Sequence, residues 1–202
     1  MNMRSALLLV LAIGLAVAAG CGGPDAGPSS RASDLQGQTV VVSPTWAAEE
    51  VLDMRAMGSR ATRVVTGVVE SVDAPQAVTL TEGFESGITV VYSDATIRVD
   101  RSLKGEAAKE AERVSVRVLG GTVDDYTFVY EDEAKLGVGD PVVLFLTDNP
   151  DSFYPRDAEL QYAVLWGMHG AFHVKDGTGF RSAGIPAEKR NVPMTVIEES
   201  VR

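Results

Sequence analysis

The chain has 202 residues but a single cysteine, Cys21, and only two histidines, His169 and His173. One sulfur excludes an intramolecular disulfide and a thiolate zinc cage, since both need several. The folded part must therefore stand on packing. Aromatic residues are 6% of the chain, and 18 Lys and Arg face 28 Asp and Glu, for a formal net charge of -10. A surface of that sign repels phosphate backbones over a Debye length, so nucleic acid is not expected as a partner. Also missing are a Gly-x-Ser-x-Gly elbow, a Gly-rich phosphate loop ending in Lys and Ser or Thr, and a cysteine nucleophile within the domain. Those absences leave the common hydrolase chemistries without a nucleophile. The expectation is a protein that is not an enzyme and takes no cofactor and no metal.

What is there is a globular composition, 45% hydrophobic and 23% charged, in a chain long enough for a leader and one ordinary domain. Arg4 gives the N-terminus a positive start, and "ALLLVLAIGLAVAA" from Ala6 to Ala19 is an apolar run ending in small residues. That is signal-peptide architecture, shorter than the roughly 20 residues of a membrane-spanning helix. "AAGC", Ala18 to Cys21, resembles the bacterial lipobox, although Leu is commoner where Ala18 stands. The resemblance implies that the leader is cut before Cys21, whose sulfur carries a diacylglyceryl group. A membrane-anchored lipoprotein on the extracytoplasmic face of the cell membrane or outer membrane is then expected, with the lipid on Cys21 as its membrane contact. Two acyl chains anchor durably, because each buried methylene contributes about 0.8 kcal/mol and one chain alone is marginal. Cleavage leaves 17 basic and 28 acidic residues, a net of -11.

Residues 21–42 read as the lipidated cysteine and a flexible tether, rich in Gly, Pro and Ser. A leading helix is expected over 43–60, with Ser43 and Pro44 at its start and Gly58 at its stop. Its apolar positions Ala47, Val51, Met54 and Met57 share one face. From Arg63 the period changes to two, and "RVVTGVVESV", "GITVVYSDATIRV", "RVSVRV" and "PVVLFL" read as strands. The alternation slips at Asp94 and Ala95, which suggests a β-bulge. "EAAKEAE" at 106–112 could form a helical turn, and "YAVLWGMHGAFHV" reads as two short strands broken by Gly167 and Gly170. Thr195 and Glu198 have capping-box spacing for a short closing helix. The domain is placed at 61–183 and a C-terminal tail at 184–202.

The run of "VVTGVVESV", "ATIRVDRSLKG", "RVSVRVLGG", "LGVGDPVVLFL" and "HGAFHV" resembles a group of secreted bacterial β domains. Their strand order is similar to the OB-like barrel of the netrin and tissue-inhibitor-of-metalloprotease modules. The resemblance implies a mainly β fold, a small OB-like antiparallel barrel with short flanking helices. The animal inhibitors place a disulfide-tied N-terminal cysteine on a protease zinc. Here the one cysteine lies far ahead of the barrel, so that mechanism is not carried over.

Candidate site residues are few. His169 and His173 would share a face of a strand about 13 Å apart, too far for one metal. Asp124 with Asp125, and Glu131 to Glu133, could serve a hydrolase that uses paired carboxylates, or a weak calcium site, although the spacing fits no EF-hand loop. Arg98, Arg101, Lys104, Arg113 and Arg117 could form a basic strip, but their segments lack aromatics to stack on. Aromatics gather in the last third, so Tyr154, Tyr162, Trp166, His169 and His173 are the binding candidates. The expected function is a non-catalytic domain that binds a protein or envelope component, with an envelope hydrolase as the alternative.

Overall fold

A computed structural model describes residues 38–42, 53–81, 87–148, 150, 154–155, 161–181 and 185–202. The signal peptide, Cys21, most of the tether and residues 43–52 of the leading helix lie outside the described residues. In chain order the elements are β1 (Gln38–Val42), α1 (Met54–Arg60), β2 (Arg63–Val72), β3 (Gln76–Thr79), β4 (Thr89–Lys104), β5 (Arg113–Leu119), β6 (Gly121–Val123), β7 (Tyr126–Tyr130) and β8 (Pro141–Thr147). They continue with β9 (Tyr162–Val164), β10 (Ala171–Lys175), β11 (Thr178–Phe180), α2 (Ala187–Arg190), β12 (Asn191–Pro193) and α3 (Met194–Ser200). The protein is mainly β, as expected.

Five strands close a barrel. Around it run β2, β4, β5, β9 and β8, and the β8–β9 pairing completes the ring. Four seams are antiparallel and one, β5–β9, is parallel. An odd number of strands cannot alternate direction all the way round, so one parallel seam is unavoidable. The sheet continues past β8 through β10, β11 and β12, while β3 adds to the outer end of β4. A second sheet of three strands orders β1, β7 and β6.

Two apolar cores follow from the two faces of β8. Val142, Leu144 and Leu146 point into the barrel with Val65, Ile97 and Val116. Val143 and Phe145 point outward and are covered by Met57 and Ala61 at the α1 end, by Phe172, and by Ile197 of α3. The doubly apolar "VVLFL" is thus buried on both sides, which is what such a run requires. Gly67 sits where β2 crosses β4, and a Cβ there would run into the Arg98 carbonyl oxygen. The "LKG" at 103–105 also has a structural account. Lys104 Nζ donates to the carbonyls of Gly58, Ser59 and Ala61 at 2.7, 3.1 and 2.6 Å, which satisfies orphan oxygens at the end of α1.

Several local expectations are corrected. Residues 38–42, read as the end of the tether, form β1, a parallel strand on β7. The described helix begins at Asp53, whose carboxylate accepts from the Arg55 and Ala56 amides at 2.8 and 2.9 Å. Gly58 lies inside that helix rather than after it, because α1 and α3 touch there: a Cβ at Gly58 would meet the Ser200 carbonyl. Asp94 and Ala95 pair with β5 in regular register. The register shifts lie on the β2–β4 seam, at Val64/Val65, Thr66/Gly67 and Val69/Ser71. The alternation slips near Asp94 because Val90, Val91, Tyr92 and Ser93 are all buried. Residues 106–112 form no helix, and α3 starts after Pro193 without a side-chain cap, so Thr195 and Glu198 make no capping box.

Candidate functional site

The turn between β9 and β10 carries two of the five candidates, Trp166 and His169. Its backbone is tied down at five points, one of them the Gly170 carbonyl, which accepts from the Phe145 amide at 2.9 Å. Leu165 donates to the Phe145 carbonyl at 2.8 Å, Met168 to Asp132 at 2.7 Å, and His169 and Gly170 close the turn on Trp166 and Gly167. Inside this frame Trp166 takes φ 55° and ψ 35°, a left-handed conformation that costs an L-residue about 1–2 kcal/mol. A bulky residue persists there only when its surroundings hold it, and such positions cluster at functional sites. Gly167 follows with φ 55°, and a Cβ on it would strike the Asp132 carbonyl.

Two arginines flank the turn. Arg60, the last residue of α1, sets its guanidinium carbon 5.7 Å from the centre of the Trp166 ring. Arg181, just after β11, lays its own 4.6 Å from the centre of the Phe172 ring. Trp166 is half-buried and packs on the outer core, so its ring is fixed rather than swinging in solvent. Arg181 is only 4% exposed. Its Nη2 reaches the Met54 sulfur at 3.0 Å, and among the described residues its buried Nε finds no partner. Burial alone brings Arg181 down to about 10, so it keeps its charge at neutral pH. His169 is half-buried, and among the described residues its Nδ1 also finds no partner. Burial, and then the Arg181 charge, bring its imidazole down to about 4, so the ring is neutral at physiological pH.

The other three candidates stand apart from this corner. Tyr154 is buried, and its hydroxyl donates to Glu133 Oε2 at 2.6 Å. Tyr162 is half-buried against the barrel core. His173 on β10 is partly exposed, with Nδ1 3.4 Å from Asp140 Oδ2. Neither histidine belongs to a metal-binding group, for among the described residues no cluster of three or more His, Cys, Asp or Glu could hold an ion.

The acids and the basic strip have structural places as well. Asp124 and Asp125 form the two-residue turn of the β6–β7 hairpin, Asp124 at φ 52°. That is a conformation Asp tolerates. Glu131 is exposed and Glu133 fully buried, so the run 131–133 does not share one environment. Arg113 meets Glu70 at 2.5 Å and Arg101 meets Glu198 at 3.2 Å, while Arg98 pairs with Asp100. Arg117, a member of the expected basic strip, is fully buried: Nε and Nη2 grip both oxygens of Asp94 at 2.8 and 2.7 Å, Nη1 donates to the Pro155 carbonyl at 2.8 Å, and Tyr92 lies beneath it at 4.0 Å. The strand pattern missed this because Pro155, which meets its guanidinium, lies 38 positions downstream.

Arg60 and Arg181 were invisible in the sequence as site residues. Neither belongs to a motif, and each is brought to the turn by a different element. Chemically the corner offers one fixed indole, two cationic planes and a neutral imidazole. Among the described residues it holds no carboxylate pair for acid–base work. No protein-family model matches the chain, and no curated protein matches it in sequence.

Proposed function

We propose that this chain is a lipid-anchored extracytoplasmic lipoprotein whose barrel holds a protein or envelope component at the Trp166 corner without catalysing a reaction. The observation that carries the reading is Trp166 itself, a half-buried aromatic in a strained backbone pinned by hydrogen bonds and faced by Arg60. Fixed aromatics with an adjacent arginine are the side chains that dominate protein recognition energies. The anchor is the diacylglyceryl group on Cys21, set ahead of the domain by a segment rich in Gly, Pro and Ser.

Two measurements test the two halves. Cys21→Ala removes the acceptor sulfur, so labelled palmitate should enter the wild type and not the variant; equal incorporation refutes the anchor. Envelope components retained by immobilised wild-type protein should be lost with Trp166→Ala while the variant still melts cooperatively. Turnover of a glycan or peptide substrate that depends on a single carboxylate would replace the binding reading with a hydrolase.

A further inference from the structure

Two buried arginines in this protein stack alike on an aromatic ring but differ in what their guanidinium groups meet. Arg117 stacks on Tyr92, and the side of its guanidinium formed by Nε and Nη2 takes both oxygens of Asp94. Arg181 stacks on Phe172, yet among the described residues its Nε on the same side finds no partner and its Nη2 finds the Met54 thioether alone. A thioether is a weak acceptor that carries no charge. An arginine taken out of water without an acid leaves a buried charge uncompensated, which is costly, whereas the planar fork matches a carboxylate with two parallel hydrogen bonds.

We propose that the Nε–Nη2 edge of Arg181 is a receptor for one carboxylate group, occupied in use by an acidic ligand that binds at the Trp166 corner. The inference rests on the binding reading above and names the chemistry that the corner accepts. Among described residues no acid fills the fork, and no acid contributes to the state of Arg181, which is governed by burial. His169 lies close enough to feel the Arg181 charge, and its neutral ring has its own unpartnered nitrogen there. Among the described residues, a carboxylate arriving at Arg181 meets no negative neighbour. Phe172 and Met54 supply apolar walls, so the ligand group sits in a medium where a charge-assisted pair is stronger than in water. The carboxylate belongs either to a small organic acid or to an acidic side chain of a larger partner, and the probes below separate these sources.

The full chain, solubilised in detergent, is melted in sodium acetate and in sodium chloride at equal ionic strength. It is melted again with a short peptide carrying one Glu and blocked termini, and with its Gln counterpart. At acetate tenfold above its dissociation constant the wild-type midpoint should stand about 3–6 °C above that in chloride. Arg181→Lys keeps the charge and loses the fork, so it should lose most of that shift. Arg181→Met removes the buried charge, so it should melt higher than wild type in chloride and show no shift in acetate. If the Glu peptide shifts the midpoint at far lower concentration than acetate, and the Gln peptide does not, the carboxylate comes from a larger partner. A shift from acetate with none added by the peptide assigns a small acid. Equal midpoints in acetate and chloride, or equal shifts in wild type and Arg181→Lys, overturn the proposal. Envelope components lost with Trp166→Ala but no acetate effect would leave the binding reading standing without the fork; an acetate effect with no retained component would do the reverse.

Discussion

Glu133 is a carboxyl group fully enclosed by the fold, with the Tyr154 hydroxyl, the Ala134 amide and the Leu119 amide directed at it. Burial outweighs those donors and pushes it up to about 7 from an ordinary 4.5. Between these values the native state holds a proton that the unfolded chain has released, so this residue's contribution to stability declines as pH rises through the window and levels off above about 7. The drop amounts to about 3 kcal/mol, since each pKa unit is worth about 1.4. His169 acts in the opposite sense. Its native imidazole, lowered to about 4 from 6.5, stays neutral where the unfolded chain takes up a proton, so stability is lost as pH falls from 6.5 toward 4. The two slopes oppose each other between about 4.5 and 6.5, which flattens the wild-type profile. Glu133→Gln removes the descending slope. Urea unfolding at a series of pH values should therefore show the wild type losing about 3 kcal/mol relative to Glu133→Gln between pH 4.5 and 7; a constant difference would refute the assignment.

At the scale of elements, β8 decides the architecture because it is the strand shared by both cores. Phe145 is fully buried on its outer face, with the Phe172 ring centre 5.8 Å away. Phe145→Ala should cost about 3–5 kcal/mol through lost transfer energy and an unfilled cavity. Chemical denaturation would measure this, and a wild-type midpoint would mean that the outer core is not continuous. The burial of β8 on both faces was legible in "PVVLFL", since an unbroken apolar run leaves no polar face for water. The β4 alternation was legible too, but its irregular stretch reads as a bulge in the sequence when its cause is burial of Val90 to Ser93 on both faces. Helix limits were less readable. Gly58 carries the composition of a stop signal, yet its role is to let α3 approach α1, and no local pattern encodes a crossing. The candidate site divides in the same way. Trp166 and His169 stood out by residue type, whereas Arg60 and Arg181 become site residues only once α1 and β11 converge on the same turn. Tyr154 and Tyr162 were drawn to attention by being aromatic, but their contacts are internal.

For the molecule as a whole, the barrel is not equally fastened around its circumference. The β2–β4 seam is paired at eight positions, whereas β9 meets β5 at two, Val116↔Tyr162 and Arg117↔Ala163, and β8 at two, Leu146↔Val164 and Thr147↔Ala163. Thermal fluctuations that detach three residues would unzip the ring into a curved four-strand sheet and leave β2, β4, β5 and β8 in register. Such local openings need far less free energy than global unfolding. Deuterium should accordingly enter the amides of residues 162–164 long before those of β2 and β4. Equal protection of all five strands would mean that closure is as stable as the sheet itself. The short strand thus works as a slit in an otherwise sealed cylinder, the place where water first reaches the inner valines and where refolding has its last seam to shut.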